Sequence, residues 1–161
     1  MLRRITQVLV IALAGAAILQ TVSRAEEHGA NLSSADLTLA DLMSIMQSRH
    51  LKLGYAALAK NWPLARYELS LMQQSFDAAA QRFPTVGSVP LGDLVKTIST
   101  PALAEIGQAV EKRDETKFFA AFKKLTSACN SCHEESQVGF VIIRPPTSSP
   151  FSNQNFEPSS K

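Results

Sequence analysis

Residues 114–135 read DETKFFAAFKKLTSACNSCHEE. Asp114 is a residue type that caps helices, and neither proline nor glycine interrupts the stretch after it, so it predicts a helix. Phe118, Phe119, Phe122, Leu125, Cys129 and Cys132 form its apolar face, mostly at three- and four-residue spacing. Such a face must be buried against other elements, and the remainder of the chain has to supply them.

Upstream, Thr38-Leu-Ala-Asp41 pairs a capping threonine with an acid three residues on. The first helix is expected over 38–60, with Leu39, Leu42, Met43, Met46, His50, Leu53 and Ala57 on one face. Asn61 suits the next N-cap, and Pro63 is tolerated in a first helical turn. The second helix should run to about Arg82, with Leu64, Tyr67, Leu71, Phe76 and Ala79 inward, and Phe83-Pro84 should stop it. Residues 84–92 read as a loop and Asp93 to Ser99 as a short helix. Thr100-Pro101 opens a third long helix with Leu103, Ile106 and Val110 inward. Only GFVII at 139–143 has a strand-like composition. The expected fold is all-α, an antiparallel up-down-up-down four-helix bundle over 38–144. Residues 145–161, rich in Pro, Ser and Asn, form an irregular tail that either lies over the bundle or stays disordered.

The chain starts with a basic Arg3-Arg4, an apolar run from Val8 to Leu19, and Ser23-Arg24-Ala25 before Glu26-Glu27. This is the layout of a signal peptide over 1–25, cleaved near Ala25, with 26–37 a flexible lead-in. The apolar run is too short for a membrane span, which needs roughly 20 residues. Losing Arg3, Arg4 and Arg24 leaves 13 basic and 14 acidic side chains, so the formal +2 of the whole chain becomes about −1. No basic block remains to bind nucleic acid. No stable membrane span is expected after cleavage. An exported chain meets oxidising conditions, where two thiols are oxidised or occupied; Cys129 and Cys132 are the only cysteines.

Three chemistries use Cys129, Cys132 and His133. A thioredoxin-like redox pair belongs in a βαβ setting that this chain lacks. A structural zinc needs a fourth ligand, which only His28 or His50 could provide. Covalent haem uses Cys-X-X-Cys-His as its attachment sequence. On a helix, positions 129, 132 and 133 share a face, so both thiols can form thioethers with the two vinyl groups of one haem c. His133 then reaches the iron as an axial ligand. The haem reading agrees best with export and with the apolar helix face.

With these residues in view, the chain resembles the class II cytochromes c, the cytochrome c′ group of periplasmic four-helix-bundle proteins. The resemblance covers roughly 38–138. It rests on Cys129-Asn130-Ser131-Cys132-His133 in the last helix and on Leu42-Met43 in the first. Gln137 departs from the basic residue common four positions after the haem histidine, and the tail from Gly139 onward is atypical. The resemblance implies one haem per chain, His133 proximal, and a first helix crossing the far side of the iron. It favours Met43 as sixth ligand, with Met46, His50 or an open position as alternatives. Core packing also explains the methionines, and a hydrogen-bonded core residue also explains His50.

Phe122 and Phe140 are candidates for packing on the macrocycle. Arg49 is a candidate partner for a propionate, Arg144 is expected to be solvated, and Trp62 to pack a corner. Glu134 and Glu135 point to different sides of a helix and make no acid/base pair. The expected function is single-electron transfer in the periplasm, with redox partner proteins there and no enzymatic activity. Gas binding (NO or CO) at a five-coordinate haem is the alternative, and a haem-free zinc or dithiol protein the third reading. The resemblance also implies a homodimer through the first two helices.

Overall fold

The computed structural model describes residues 37–147, 149 and 151–159. The expected signal peptide and most of the lead-in, His28 included, lie outside the described residues. Four helices of 13 to 21 residues carry the described chain: α1 (Leu39–Leu58), α2 (Trp62–Arg82), α4 (Thr100–Lys112) and α5 (Glu115–Glu135). A short helix α3 (Leu91–Leu94) and a π-helical turn (Val95–Ser99) lead into α4. Among the described residues there is no β-strand, and GFVII at 139–143 is an irregular segment. An isolated bridge between Val86 and Val89 closes a turn at Gly87, whose φ of 60° suits glycine.

Helices α1, α2 and α5 start where their capping chemistry dictates. The Asp41 N–H reaches Thr38 Oγ1 at 3.2 Å, and the Thr38 N–H reaches Asp41 Oδ2 at 2.9 Å, closing a capping box. The Thr38 hydroxyl also donates to Asp41 Oδ2 at 2.6 Å, and this bond, together with the one from the Thr38 N–H, holds the Asp41 carboxyl below its ordinary range. Asn61 accepts from the Leu64 N–H, and Asp114 from the Lys117 N–H at 3.0 Å. Pro101 has no N–H to give to the preceding turn, so that turn widens. The N–H and Oγ1 of Thr100 then both reach the Val95 carbonyl, Oγ1 at 3.0 Å.

Helix α1 packs chiefly on α2, α2 on α4, and α4 on α5, with a lighter contact between α1 and α5. Leu53, Met72, Ile106, Phe118, Phe122 and Leu125 are fully buried between them. The inward face of α4 is the expected one: Leu103, Ile106 and Val110 are all buried. On α1, Leu42, Met46, His50, Leu53 and Ala57 are buried, while Leu39 and Met43 sit at a cavity wall.

The face of α2 matches the expectation at Phe76 and Ala79 and differs from it nearer the start of the helix, where Leu64 and Leu71 are half-buried. Tyr67 is 59% exposed, and the buried stripe is Ala65, Glu68, Leu69, Met72, Ser75, Phe76 and Ala79. Two polar residues sit in that stripe, which makes the neighbouring stripe look more apolar. They are buried because α1 supplies partners. Arg49 donates to Ser75 Oγ and to the Leu71 carbonyl. Burial pushes the Glu68 carboxyl up, and the charges of Lys52 and Arg49 offset part of that rise.

The tail lies over α1, and Thr38–Lys161 make one compact unit. A Cβ on Gly54 would stand 2.6 Å from Pro146 Cγ, so glycine is what lets Pro146 settle on the helix. Phe156 is buried against Tyr55 with ring centroids 5.5 Å apart, and Asn61 Nδ2 donates to the Phe156 carbonyl at 3.1 Å. Lys52 stands over the Phe151 ring. Trp62 meets Phe118 edge-on at the α1–α2 corner.

Candidate functional site

A cavity of about 420 Å³ opens between the N-terminal half of α1, the end of α5 and the 91–99 segment. Cys129, Cys132 and His133 stand in its wall, and so do Met43, Met46 and His50 from α1. The two expected sets of residues therefore face one space, although 79 positions separate His50 from Cys129. The rest of the wall is mostly aliphatic, with Leu91, Val95 and Ile98 on one side and Val138, Val141 and Ile143 on another. Cavities of 300–1,000 Å³ with apolar walls and few polar groups are the usual form of a cofactor site.

The helical spacing of α5 brings the three motif residues to this wall. Both thiols are free. Burial pushes Cys129 up to about 11, with the neighbouring Cys132 adding to the rise, and burial raises Cys132 as well. Neither is a thiolate at neutral pH, unlike a reactive redox cysteine. Among the described residues no group of three or more His, Cys, Asp and Glu side chains is arranged to hold a metal ion.

The end of α5 positions His133. Gln137 adopts a left-handed φ of 60° just past the helix. The Val138 N–H bonds to the His133 carbonyl at 2.9 Å and the Gln137 N–H to the Glu134 carbonyl at 3.1 Å, which is a Schellman closure. The chain then doubles back, and the Val141 carbonyl comes within 2.6 Å of His133 Nδ1. A carbonyl only accepts, so Nδ1 carries the proton, and in the neutral ring Nε2 keeps the lone pair.

His50 is held differently. Its Nε2 is 2.8 Å from Thr126 Oγ1, and the same hydroxyl is 2.9 Å from the Phe122 carbonyl. The single hydroxyl proton goes to that carbonyl, so His50 Nε2–H donates to Thr126. The ring also stacks on Phe122 with centroids 4.3 Å apart. Burial lowers its pKa to about 4, so it is neutral near pH 7. Met46 is buried and Met43 half-buried, both at the cavity wall.

Several expected contacts fall elsewhere. Phe140 is 81% exposed and outside the cavity wall; past the Schellman turn it is Val138, Val141 and Ile143 that border the cavity, the two valines while still exposed. Phe122 is core, behind His50 rather than at the wall. Arg49 is committed to α2, while Arg144 is exposed as expected. Sequence reasoning missed Thr126, Asn130 and the aliphatic residues of 91–99. The apolar run directly after the motif, from Val138 to Ile143, was the one available signal for that wall. No helix among the described residues is long and apolar enough to cross a membrane. Comparison with protein-family models, with curated proteins and with solved structures finds no match for the chain.

Proposed function

We propose that the protein is an exported monohaem c-type cytochrome that carries single electrons in the periplasm. The carrying observation is that Cys129, Cys132 and His133 line one apolar cavity together with Met43 of α1. The residues fit a covalent haem. Two adjacent thiols are available for thioethers, and one imidazole keeps its lone pair on Nε2 because Nδ1 donates to Val141. A bound haem supplies an iron that alternates between two valences.

The chain's own residues set how that chemistry is used. Cys129 and Cys132 would tether the group, and His133 would ligate its iron through Nε2. Met43 is the proposed ligand opposite, since His50 Nε2 is occupied by Thr126 and Met46 lies deeper in the packed face. With both thiols taken up by the haem and Nε2 of His133 on its iron, the wall that remains would be mostly aliphatic, and carrying rather than catalysis is the proposed role. The helix pairing and the short connections are compatible with an up-down-up-down bundle, which we take as the arrangement. Redox proteins of the same compartment are the proposed partners.

The test is the absorption spectrum of the mature protein, made with a c-type haem maturation system, oxidised and dithionite-reduced, with and without CO. Sharp reduced α and β bands without a CO response are expected, and Met43→Ala should then bind CO. A CO response in the unaltered protein would replace electron transfer with gas binding. Absence of covalent haem would return the zinc or dithiol reading.

A further inference from the structure

Asn130 lies inside the motif, between the two cysteines, yet its side chain faces neither of them. Its Nδ2 donates to the Ile143 carbonyl at 3.0 Å, and its Oδ1 accepts from the Ile143 N–H at 2.8 Å. The primary amide thus satisfies both backbone groups of one residue, as a neighbouring strand would. Only Asn or Gln combines a donor and an acceptor in that way. Two residues before Ile143 is Val141, whose carbonyl receives the His133 Nδ1 proton.

The segment between them is short and fastened at both ends. The Schellman closure at Gln137 and Val138 holds one end, and Asn130 holds the other. Val138, Val141 and Ile143 border the cavity, but of the apolar side chains of this segment only Ile143 is half-buried; Val138, Phe140, Val141 and Ile142 are exposed. Burial alone does not fasten such a segment, and the Asn130 bonds make up the difference.

We propose that Asn130 is a positioning residue: by gripping Ile143 it holds the Val141 carbonyl against His133 and fixes which ring nitrogen keeps its lone pair. The proposal deepens the haem reading and rests on it for its purpose, because Nε2 is the nitrogen that an iron would take. The clamp itself exists in the chain without the group. A carbonyl partner on Nδ1 also makes the imidazole a more basic ligand and restrains its rotation. Asn130→Ala removes both bonds at a helical position where alanine is favourable, so α5 persists.

The experiment has two arms. The full chain carrying Cys129→Ser and Cys132→Ser, which cannot attach haem, is compared with the same chain carrying Asn130→Ala. Nitrogen-15 NMR reads the His133 tautomer and amide exchange reads Ile143, with helix content checked by circular dichroism. The clamp predicts a single Nδ1–H tautomer before the change, a mixture after it, and Ile143 exchange at least tenfold faster. In the haem-loaded, reduced protein the His133 Nδ1 proton should exchange at least tenfold faster in Asn130→Ala. Ile143→Pro, which removes the amide donor and leaves no residue-143 amide to follow, should shift the His133 tautomer in the same direction. The proposal is overturned if His133 keeps one Nδ1–H tautomer after Ile143 is released, or if Ile143 is unprotected from the start. Failure to find haem would sink the proposed function while the first arm still decides the clamp.

Discussion

His50 concentrates the residue-scale chemistry of the molecule. It is 3% exposed, stacked on Phe122, and donates to a threonine whose own proton is already committed. Its pKa of about 4 lies below the ordinary 6.5, so between those values the unfolded chain takes a proton that the folded chain refuses. Stability from this group is therefore fully present above pH 6.5 and lost as the pH falls through 4, by up to about 3 kcal/mol. Urea unfolding at pH 7 and pH 5 should show a loss that is smaller in His50→Gln. Equal losses in both chains would mean that His50 titrates normally in the fold. A histidine on an apolar face carries no label in the sequence. Its bond to Thr126 joins residues 76 positions apart, and that separation is why the sequence alone leaves ligand and core residue as alternatives.

At the scale of the element, helix ends were the most legible features. Thr38, Asn61 and Asp114 cap where their side chains predict, because capping is a contact within three residues. Helix faces were legible where apolar residues alone are buried, as on α4. On α2 they were not, because the burial of Glu68 and Ser75 depends on Arg49 and Lys52 of another helix. The C-terminal end of α5 offers a test of its own. Gln137 occupies a left-handed position that costs a side-chain-bearing residue roughly 1 kcal/mol relative to glycine. Gln137→Gly should raise the urea midpoint by the equivalent of about 1 kcal/mol. An unchanged or lower midpoint would show that the Schellman closure does not govern this terminus.

For the whole molecule, the tail is part of the folded unit. Pro146 rests on Gly54 directly above Phe122, whose Cζ would stand 3.1 Å from an added Cβ. Gly54→Ala has nowhere to put its methyl group without moving Pro146 or the core. Helix propensity would favour the change by up to about 1 kcal/mol, and overpacking would oppose it by about 1–3 kcal/mol. A net loss of about 1 kcal/mol is expected, together with faster proteolysis between Arg144 and Ser159. A gain in stability with unchanged cleavage would mean that the tail does not bear on α1.

What the sequence determined by itself is local or periodic. It specifies four long helices and the caps that begin three of them, and it places two thiols and an imidazole on one helical face, because those relations span three or four residues. Only the tertiary structure decided the rest. It put Met43, Met46 and His50 around the same cavity as Cys129, Cys132 and His133, turned Phe140 outward, and laid the tail on Gly54. It also set the tautomers of His50 and His133, since each depends on an acceptor that the local sequence does not name: Thr126 from a distant helix for His50, and a carbonyl returned by a left-handed turn for His133. Hydrogen-bond partners and cavity walls arise from how elements pack, and packing is a property of the whole chain rather than of any window within it.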